Sequence, residues 1–319
     1  MEFPRQHVRS EVVRSRFILE MASELVGYVD WAPKQTQLQM RIQGDQFPWD
    51  VRLFGSDAPN VFEPVARGEV HLAMVNPSGA LAMAVQGTGP FKAPLPLRVI
   101  TVLPSHDQFA FAVAERTGLR SLEEIGERRY PLRVAMRDRP EHSDYLYATE
   151  ALAAAGFSWD DLFSWGGSLV HYRGLGVNVG AVERGEVDAI FEEAVKLWLE
   201  RAIEAGMRVL SLSEPVLAKL ESVGLRRASI TRREYPKLPE DVVSLDFSGW
   251  PAYTSSETPD QLVEWFCTAL EARRDRIPCD GGVKSLPLDR MCIDAPDAPL
   301  TAPFHPAAER FWRQRGYIQ

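Results

Sequence analysis

Only three cysteines occur in the 319 residues, Cys267, Cys279 and Cys292. They form neither a CxxC pair nor an even set, which excludes a zinc ribbon and a disulfide framework. Cys279 and Cys292 flank a loop with Gly281-Gly282 and could pair only in an oxidising compartment. No metal and no cofactor is expected. No run approaches the ~18 apolar residues of a membrane span, so direct membrane insertion is not expected. Residues 1–28 carry Arg5, Arg9, Arg14 and Arg16, with no apolar core, no small-residue cleavage pattern and no lipid-acceptor cysteine. No secretory leader is visible, and the expectation is a cytoplasmic protein, or a periplasmic one if a leader has been removed.

Catalytic signatures are missing as well. There is no nucleophile elbow, phosphate loop or metal-ligand spacing. Gly174-Leu175-Gly176 followed by Gly180 has no strong strand before it, so it does not make a dinucleotide fingerprint. A formal charge of −8 argues against a phosphate-backbone partner, because nucleic-acid binders display a concentrated basic face. The pairs Arg226-Arg227 and Arg232-Arg233 read as solvated surface, and no helix-turn-helix pattern opens the chain.

With 45% apolar and 25% charged residues, the chain has the balance of a folded globular protein, and its length suits two α/β lobes. Val13, Phe17, Met21 and Leu25 lie four apart, on one face of a helix over 10–26 that should pack on something. Strand-like runs follow at 38–42 and 51–54, separated by turn signals at Gly44-Asp45 and Phe47-Pro48. A helix from 58 then stops at Arg67-Gly68, before a buried strand over 70–75.

Two strongly apolar runs, 97–103 and 109–114, are joined by Pro104-Ser105-His106-Asp107 and precede a fresh α/β pattern. Ser121 with Glu124 fits a capping box, 133–136 a strand, and 143–155 a helix stopped by Gly156. Further strands are expected at 207–212, 228–231, 242–247 and 252–255, and further helices at 214–223, 259–274 and 306–315. The proline-, glycine- and aspartate-rich stretch 278–303 reads as loop.

The strongest internal signal is a repeat. Val65-Ala66-Arg67-Gly68-Glu69-Val70 resembles Val182-Glu183-Arg184-Gly185-Glu186-Val187, and both sit at a helix-to-strand junction, 117 residues apart. The physical requirement is local: glycine adopts the left-handed conformation that ends a helix, and the apolar run after it enters a sheet. Two similar α/β lobes produce such a pair.

Several blocks resemble, in order, the TAXI-type solute receptors of TRAP transporters. They are Gly55-Ser56-Asp57-Ala58-Pro59-Asn60, Arg67-Gly68-Glu69-Val70, Ser121-Leu122-Glu123-Glu124-Ile125, Arg184-Gly185-Glu186-Val187-Asp188, and the ending Pro303-Phe304-His305-Pro306 with Phe311-Trp312. The glycine-rich strand-to-helix turn of that family's first lobe is not recognisable. The resemblance covers roughly 50–319 and implies a type II periplasmic-binding-protein (venus-flytrap) fold, with two α/β lobes joined by two crossing strands. On this reading 1–105 with 229–319 form one lobe and 106–228 the other, with hinges at 104–107 and 228–232. TRAP membrane subunits are the implied partners if the protein is secreted.

In open α/β sheets a ligand site lies beyond the carboxyl ends of the strands. This selects Ser56, Asn60, Asn76 and Ser78 in one lobe, and Arg137, Arg139, His142, Ser143, Glu192 and Glu193 in the other. A solvent-filled gap should separate residues near 76 from those near 143. Ser143 at a helix N-terminus and Arg137 as a bidentate donor suit a carboxylate, so a small organic acid is the expected ligand. Trp165, His171 and Tyr172 around Gly166-Gly167 could add a stacking wall. The alternative is a decarboxylase- or dehydratase-type enzyme of the same fold acting on a small organic acid, with Glu192 or Glu193 as base and His142 or His171 as acid. His305 reads as a helix cap.

Overall fold

The computed structural model describes residues 10–26, 36–43, 48–56, 58–173, 177–277 and 285–319. Cys279, the turn at Gly44-Asp45 and the glycine run at 174–176 lie outside them. Two separate sheets form. The first contains β1 (Thr36–Gln43), β2 (Pro48–Gly55), β3 (Leu72–Met74) and β4 (Leu97–Leu103). The second contains β5 (Gln108–Ala114), β6 (Arg133–Arg137), β7 (Ser168–Tyr172), β8 (Ala189–Glu192), β9 (Met207–Val209), β10 (Arg227–Ile230) and β11 (Val242–Asp246). The chain then returns to the first sheet as β12 (Trp250–Ser255).

The first sheet runs β1-β2-β3-β12-β4 and the second β10-β11-β5-β8-β6-β7, with β9 also on β5. In the second sheet β6 pairs in parallel with both β7 and β8, while β5 runs antiparallel to β8. The chain steps from β6 to one side and then back to the other, so the strand order reverses at β6 and β8. Every residue of β5 is buried, which accounts for the unbroken apolar run 109–114 after Gln108. In the first sheet β1 and β2 form an antiparallel hairpin. That hairpin stands at the sheet edge, and no described strand-to-helix turn follows the first strand.

The chain crosses between sheets twice. The first crossing is 104–107, as expected. The second is not at 228–232: β10 and β11 belong to the second sheet, where Leu245 pairs with Phe109, so the return lies at 247–249. The lobe boundary expected at 229 therefore moves to about 248. Periodicity could not place it, because a strand reads alike whichever sheet it joins. The two crossings are tied together, with Ser248 Oγ donating to the Asp107 carbonyl at 3.0 Å and Gly249 N to the Ser105 carbonyl at 2.9 Å.

The repeated motif has one geometry in both lobes. Gly68 has φ 72° and Gly185 φ 73°, and each ends a helix. Arg67 Nε pairs with Glu69 at 2.7 Å, and Arg184 Nε with Glu186 at 2.7 Å. The C-terminal helix Pro306–Gln314 docks on β4, where Trp312 Nε1 donates to the buried Ile100 carbonyl at 2.8 Å and His305 caps the helix through Ala307 N at 3.2 Å. The helix Ser10–Val26 departs from expectation: Phe17 is 65% and Met21 49% exposed. No described helix is long and apolar enough to cross a membrane.

The lobes are closed on each other. Met83, on the first lobe's helix Ser78–Gln86, is buried in the core of the second lobe with Phe109, Tyr147 and Leu225. Thr88 Oγ1 donates to the Val223 carbonyl at 2.6 Å. The expected gap between 76 and 143 is absent, since Ser143 Oγ donates to the Asn76 carbonyl. Apolar burial at Met83 drives this contact, and sequence patterning cannot show it, because Met83 looks the same whichever core it enters.

Candidate functional site

Beside that contact lies a cluster of ionisable groups, placed by the strand reversal. Arg137 ends β6, and Glu192 ends β8 with Glu193 next to it. Two strands neighbouring in space but 55 residues apart in the chain thus deliver a guanidinium and two carboxyls to one point. The helix Ser143–Ala155 starts just beyond β6, bringing His142 and Asp144 to the same place.

Arg137 is the hub. Its Nη2 donates to Glu192 Oε1 at 2.6 Å and also to Glu193 Oε1. Its Nε lies 2.6 Å from Asp144 Oδ2 and 2.8 Å from Glu192 Oε1. Nη1 is 3.2 Å from His142 Nε2. The other imidazole nitrogen, His142 Nδ1, accepts from Asp144 N at 3.3 Å and caps the helix. Asn178, from the helix Val177–Glu183, donates from Nδ2 to Glu192 Oε2 at 3.4 Å.

Asp107 links this cluster to the crossing. Its Oδ2 accepts from Ala194 N at 3.0 Å and its Oδ1 from Gln108 N at 2.8 Å, and Glu193 is its neighbouring acid. Ala194 itself holds φ 52°, a left-handed conformation that costs a non-glycine residue roughly 1–2 kcal/mol. The turn after Glu193 is thus fixed by a side chain that belongs to the hinge.

Burial and crowding set the protonation. Burial and the neighbouring Glu193 push the Asp107 carboxyl up to about 9, so it carries a proton at neutral pH. Burial, followed by the charge of Asp144, raises Glu192 well above the usual carboxylate range despite Arg137. Burial opposes the charge on Arg137, but the fields of Asp144, Glu192 and Glu193 outweigh it and hold its pKa above the ordinary value. Three carboxyl groups face one guanidinium, and a proton on Glu192 makes up part of the difference.

The structure gathers Arg137, His142, Ser143, Glu192 and Glu193 as the sequence suggested, with Asn76 against Ser143. Arg137 does not present a free fork to an anion, and the helix N-terminus at Ser143 already carries the His142 cap and Asp144 in its first turn. The remaining candidates lie elsewhere. The Ser56 hydroxyl accepts from Ala58 N at 3.1 Å in a local turn. Asn60 lines a groove of about 630 Å³ on the hairpin edge of the first sheet, with Gln37 and Arg52.

Ser78 Oγ faces Gly249 in the crossing, where an added Cβ would lie 2.6 Å away. Trp165 packs on Phe157 at the second lobe's core, ring centroids 5.6 Å apart. Tyr172 packs on a separate core cluster of the second lobe, with Val179 and Val182, its hydroxyl 3.4 Å from Glu186 Oε2. His171 meets Tyr145 Oη at 2.7 Å. Asp107, Asp144 and Asn178 were not anticipated. Asp144, in the first turn of the helix that His142 caps, was within reach of the strand-end rule, whereas Asp107 and Asn178 carried no signal of their own.

Two lobes of mixed sheet and helix, two crossings and a reversal point facing the other lobe settle the architecture. The chain has the type II periplasmic-binding-protein fold. No protein-family model matches it. No curated protein matches it either. Solved structures of this fold are similar at low identity. An ancestral arginine-binding protein bound to arginine is 14% identical over 69% of this chain and 73% of that one, with a TM-score of 0.32. MatC from Rhodopseudomonas palustris with bound malate is 14% identical over 68% and 69%, TM-score 0.35. A TctC solute-binding protein from Polaromonas is 16% identical over 63% and 62%, TM-score 0.35.

Proposed function

We propose that this protein binds one small organic ligand between its lobes, as a transport receptor or as a ligand sensor, closing over it by rotation at 104–107 and 247–249. The observation that carries the reading is the Arg137 cluster. Charged and polar groups converge at the reversal point of the second sheet, where this architecture places ligands. The cluster lies beside the Ser143–Asn76 contact that the two lobes share. Asp107 spans both features, with its main chain in the crossing and its carboxyl in the site. Occupation of the site therefore bears directly on the hinge, which is the requirement for a ligand-driven population shift.

The ligand class we propose is a carboxylate-bearing molecule anchored by Arg137. In the closed state three carboxyl groups hold that guanidinium, Glu192 being held toward its neutral form, so an acid enters only together with compensating positive charge. That charge is either an amino group on the ligand itself or a cation bound separately. A TRAP-type receptor role would further require export and membrane subunits.

A second reading, a lyase acting on a small acid, is favoured by one observation. Glu192 is a buried carboxyl held toward its neutral form in the same cluster as His142, which suits a proton donor.

The test is a panel of small acids, amino acids and amines titrated into dialysed protein, followed by calorimetry, small-angle scattering and mass spectrometry. The expected result is one bound molecule, with a radius of gyration at the closed value when the site is saturated. Arg137→Ala should weaken binding by on the order of 30-fold or more, about 2 kcal/mol. Conversion of the bound molecule during incubation would select the lyase. No binding by any class, or binding indifferent to Arg137→Ala, would remove the proposal.

A further inference from the structure

We infer that His142, Asp144 and Glu193 form a binding site for one divalent cation. This goes beyond the ligand reading and does not rest on it, although it names one source of the positive charge that reading requires. The geometry is the first ground. One imidazole nitrogen and one oxygen from each carboxylate lie within 4.8 Å of one another. Ligand bonds of about 2.0–2.2 Å place donors around a single ion no more than about 4.4 Å apart, so a small contraction suffices. All three residues are buried, and none stands on a free loop: two open a helix and the third follows a central strand.

An independent observation points to the same spot. Asn178 is 2% exposed, and its Oδ1 has no hydrogen-bond partner among the described residues. Its amide lies against the cluster through the 3.4 Å contact of Nδ2 with Glu192 Oε2. A buried carbonyl oxygen without a donor is an acceptor still to be used, and leaving one orphaned is costly. Asn178 thus carries an unused buried acceptor and touches Glu192, next in the chain to the ligand Glu193.

Charge gives the third ground. Arg137 is the only guanidinium in contact with Asp144, Glu192 and Glu193 among the described residues. At 15% side-chain exposure it is also less buried than the groups that hold it, 0% for Asp144, 2% for Glu192 and 9% for Glu193. It is the group with room to move. A cation on Asp144 and Glu193 takes over two of the three carboxyl groups that hold the guanidinium and frees it for an anion. The mixed nitrogen and oxygen donor set suits Mn²⁺ or Zn²⁺ better than Mg²⁺ or Ca²⁺, which prefer oxygen alone.

The experiment uses the full chain, stripped with chelator and dialysed, with no organic ligand present. Mn²⁺ and Zn²⁺ are titrated by calorimetry, and pulsed electron paramagnetic resonance of the Mn²⁺ form records nitrogen coupling. The expected result is one ion per chain with a histidine nitrogen coupling. Affinity should fall about tenfold or more in the isosteric variants Glu193→Gln and Asp144→Asn, and stay unchanged in Glu204→Gln at the surface. His142→Gln should abolish the coupling. Near-ultraviolet circular dichroism confirms folding of each variant, and any one folded variant decides. No uptake at millimolar metal, uptake equal in the ligand variants and wild type, or a coupling that survives His142→Gln would overturn the inference. Because metal is measured alone, its failure leaves organic-ligand binding standing, and the ligand panel repeated in chelator separates the two.

Discussion

Gly79 offers the sharpest test of lobe closure. It lies on the first lobe's helix Ser78–Gln86, where an added Cβ would stand 2.2 Å from the hydroxyl oxygen of Tyr147 in the second lobe. Tyr147 is fully buried, so its ring has little freedom to yield. Gly79→Ala should therefore disfavour the closed arrangement by about 1–3 kcal/mol, the usual cost of overpacking. At about 1.4 kcal/mol per decade, that shifts the open-to-closed ratio by roughly 5- to 150-fold. Each lobe keeps its own core, so the radius of gyration should increase without loss of helical signal.

Tyr147→Phe supplies the control. Its hydroxyl has no hydrogen-bond partner among the described residues, and an unsatisfied buried hydroxyl costs about 1–3 kcal/mol. The single change should be neutral or stabilising. With the hydroxyl gone, the nearest atoms to the new Cβ become Leu225 Cδ2 at 3.2 Å and Tyr147 Cζ at 3.3 Å, which shifts of a few tenths of an ångström accommodate. The double variant should recover most of the loss, with a coupling energy of at least about 1 kcal/mol in a urea-unfolding cycle. Strict additivity, or an unchanged radius in Gly79→Ala, would refute the reasoning.

Two further outcomes are expected. Burial opposes ionisation of Asp188, but hydrogen bonds and charge from Arg133 and Arg116 outweigh it, so its folded pKa lies below the ordinary value. Its stabilisation is present above the unfolded pKa near 3.9 and disappears as pH falls through the folded value. Asp188→Asn should flatten the acid limb of a thermal-stability profile below about pH 4, and an unchanged limb would count against the pairing. Cys267 and Cys292 are buried free thiols, and burial pushes Cys292 up to about 12 and Cys267 higher still. Iodoacetamide at pH 8 should leave both unmodified in the native protein and label both in guanidinium, as read by peptide mass spectrometry.

How much was legible varies by element. The turns at Gly68 and Gly185 were readable because a left-handed helix end is a property of four or five consecutive residues. The same holds for the His305 cap and for the Gly156 stop. Strand-end reasoning found Arg137, His142, Glu192 and Glu193, since it needs only the order of elements. It also named Ser56 and Asn60, which follow β2 in the first sheet away from the reversal, while Trp165 and Tyr172, offered as a stacking wall, pack on the second lobe's cores.

The sequence by itself determined the local events: where helices start and stop, which runs are buried strands, and that two similar α/β units follow one another. Backbone preference and apolar period act over a few residues, so they can be read from a few residues. Only the tertiary structure decided which sheet receives β10 and β11, that Asp107 joins the cluster from the hinge, and that Arg137 is held by three carboxylates rather than offered to an anion. Those outcomes depend on strand order and on the electrostatic field of groups far apart in the chain. Neither is encoded in any local window.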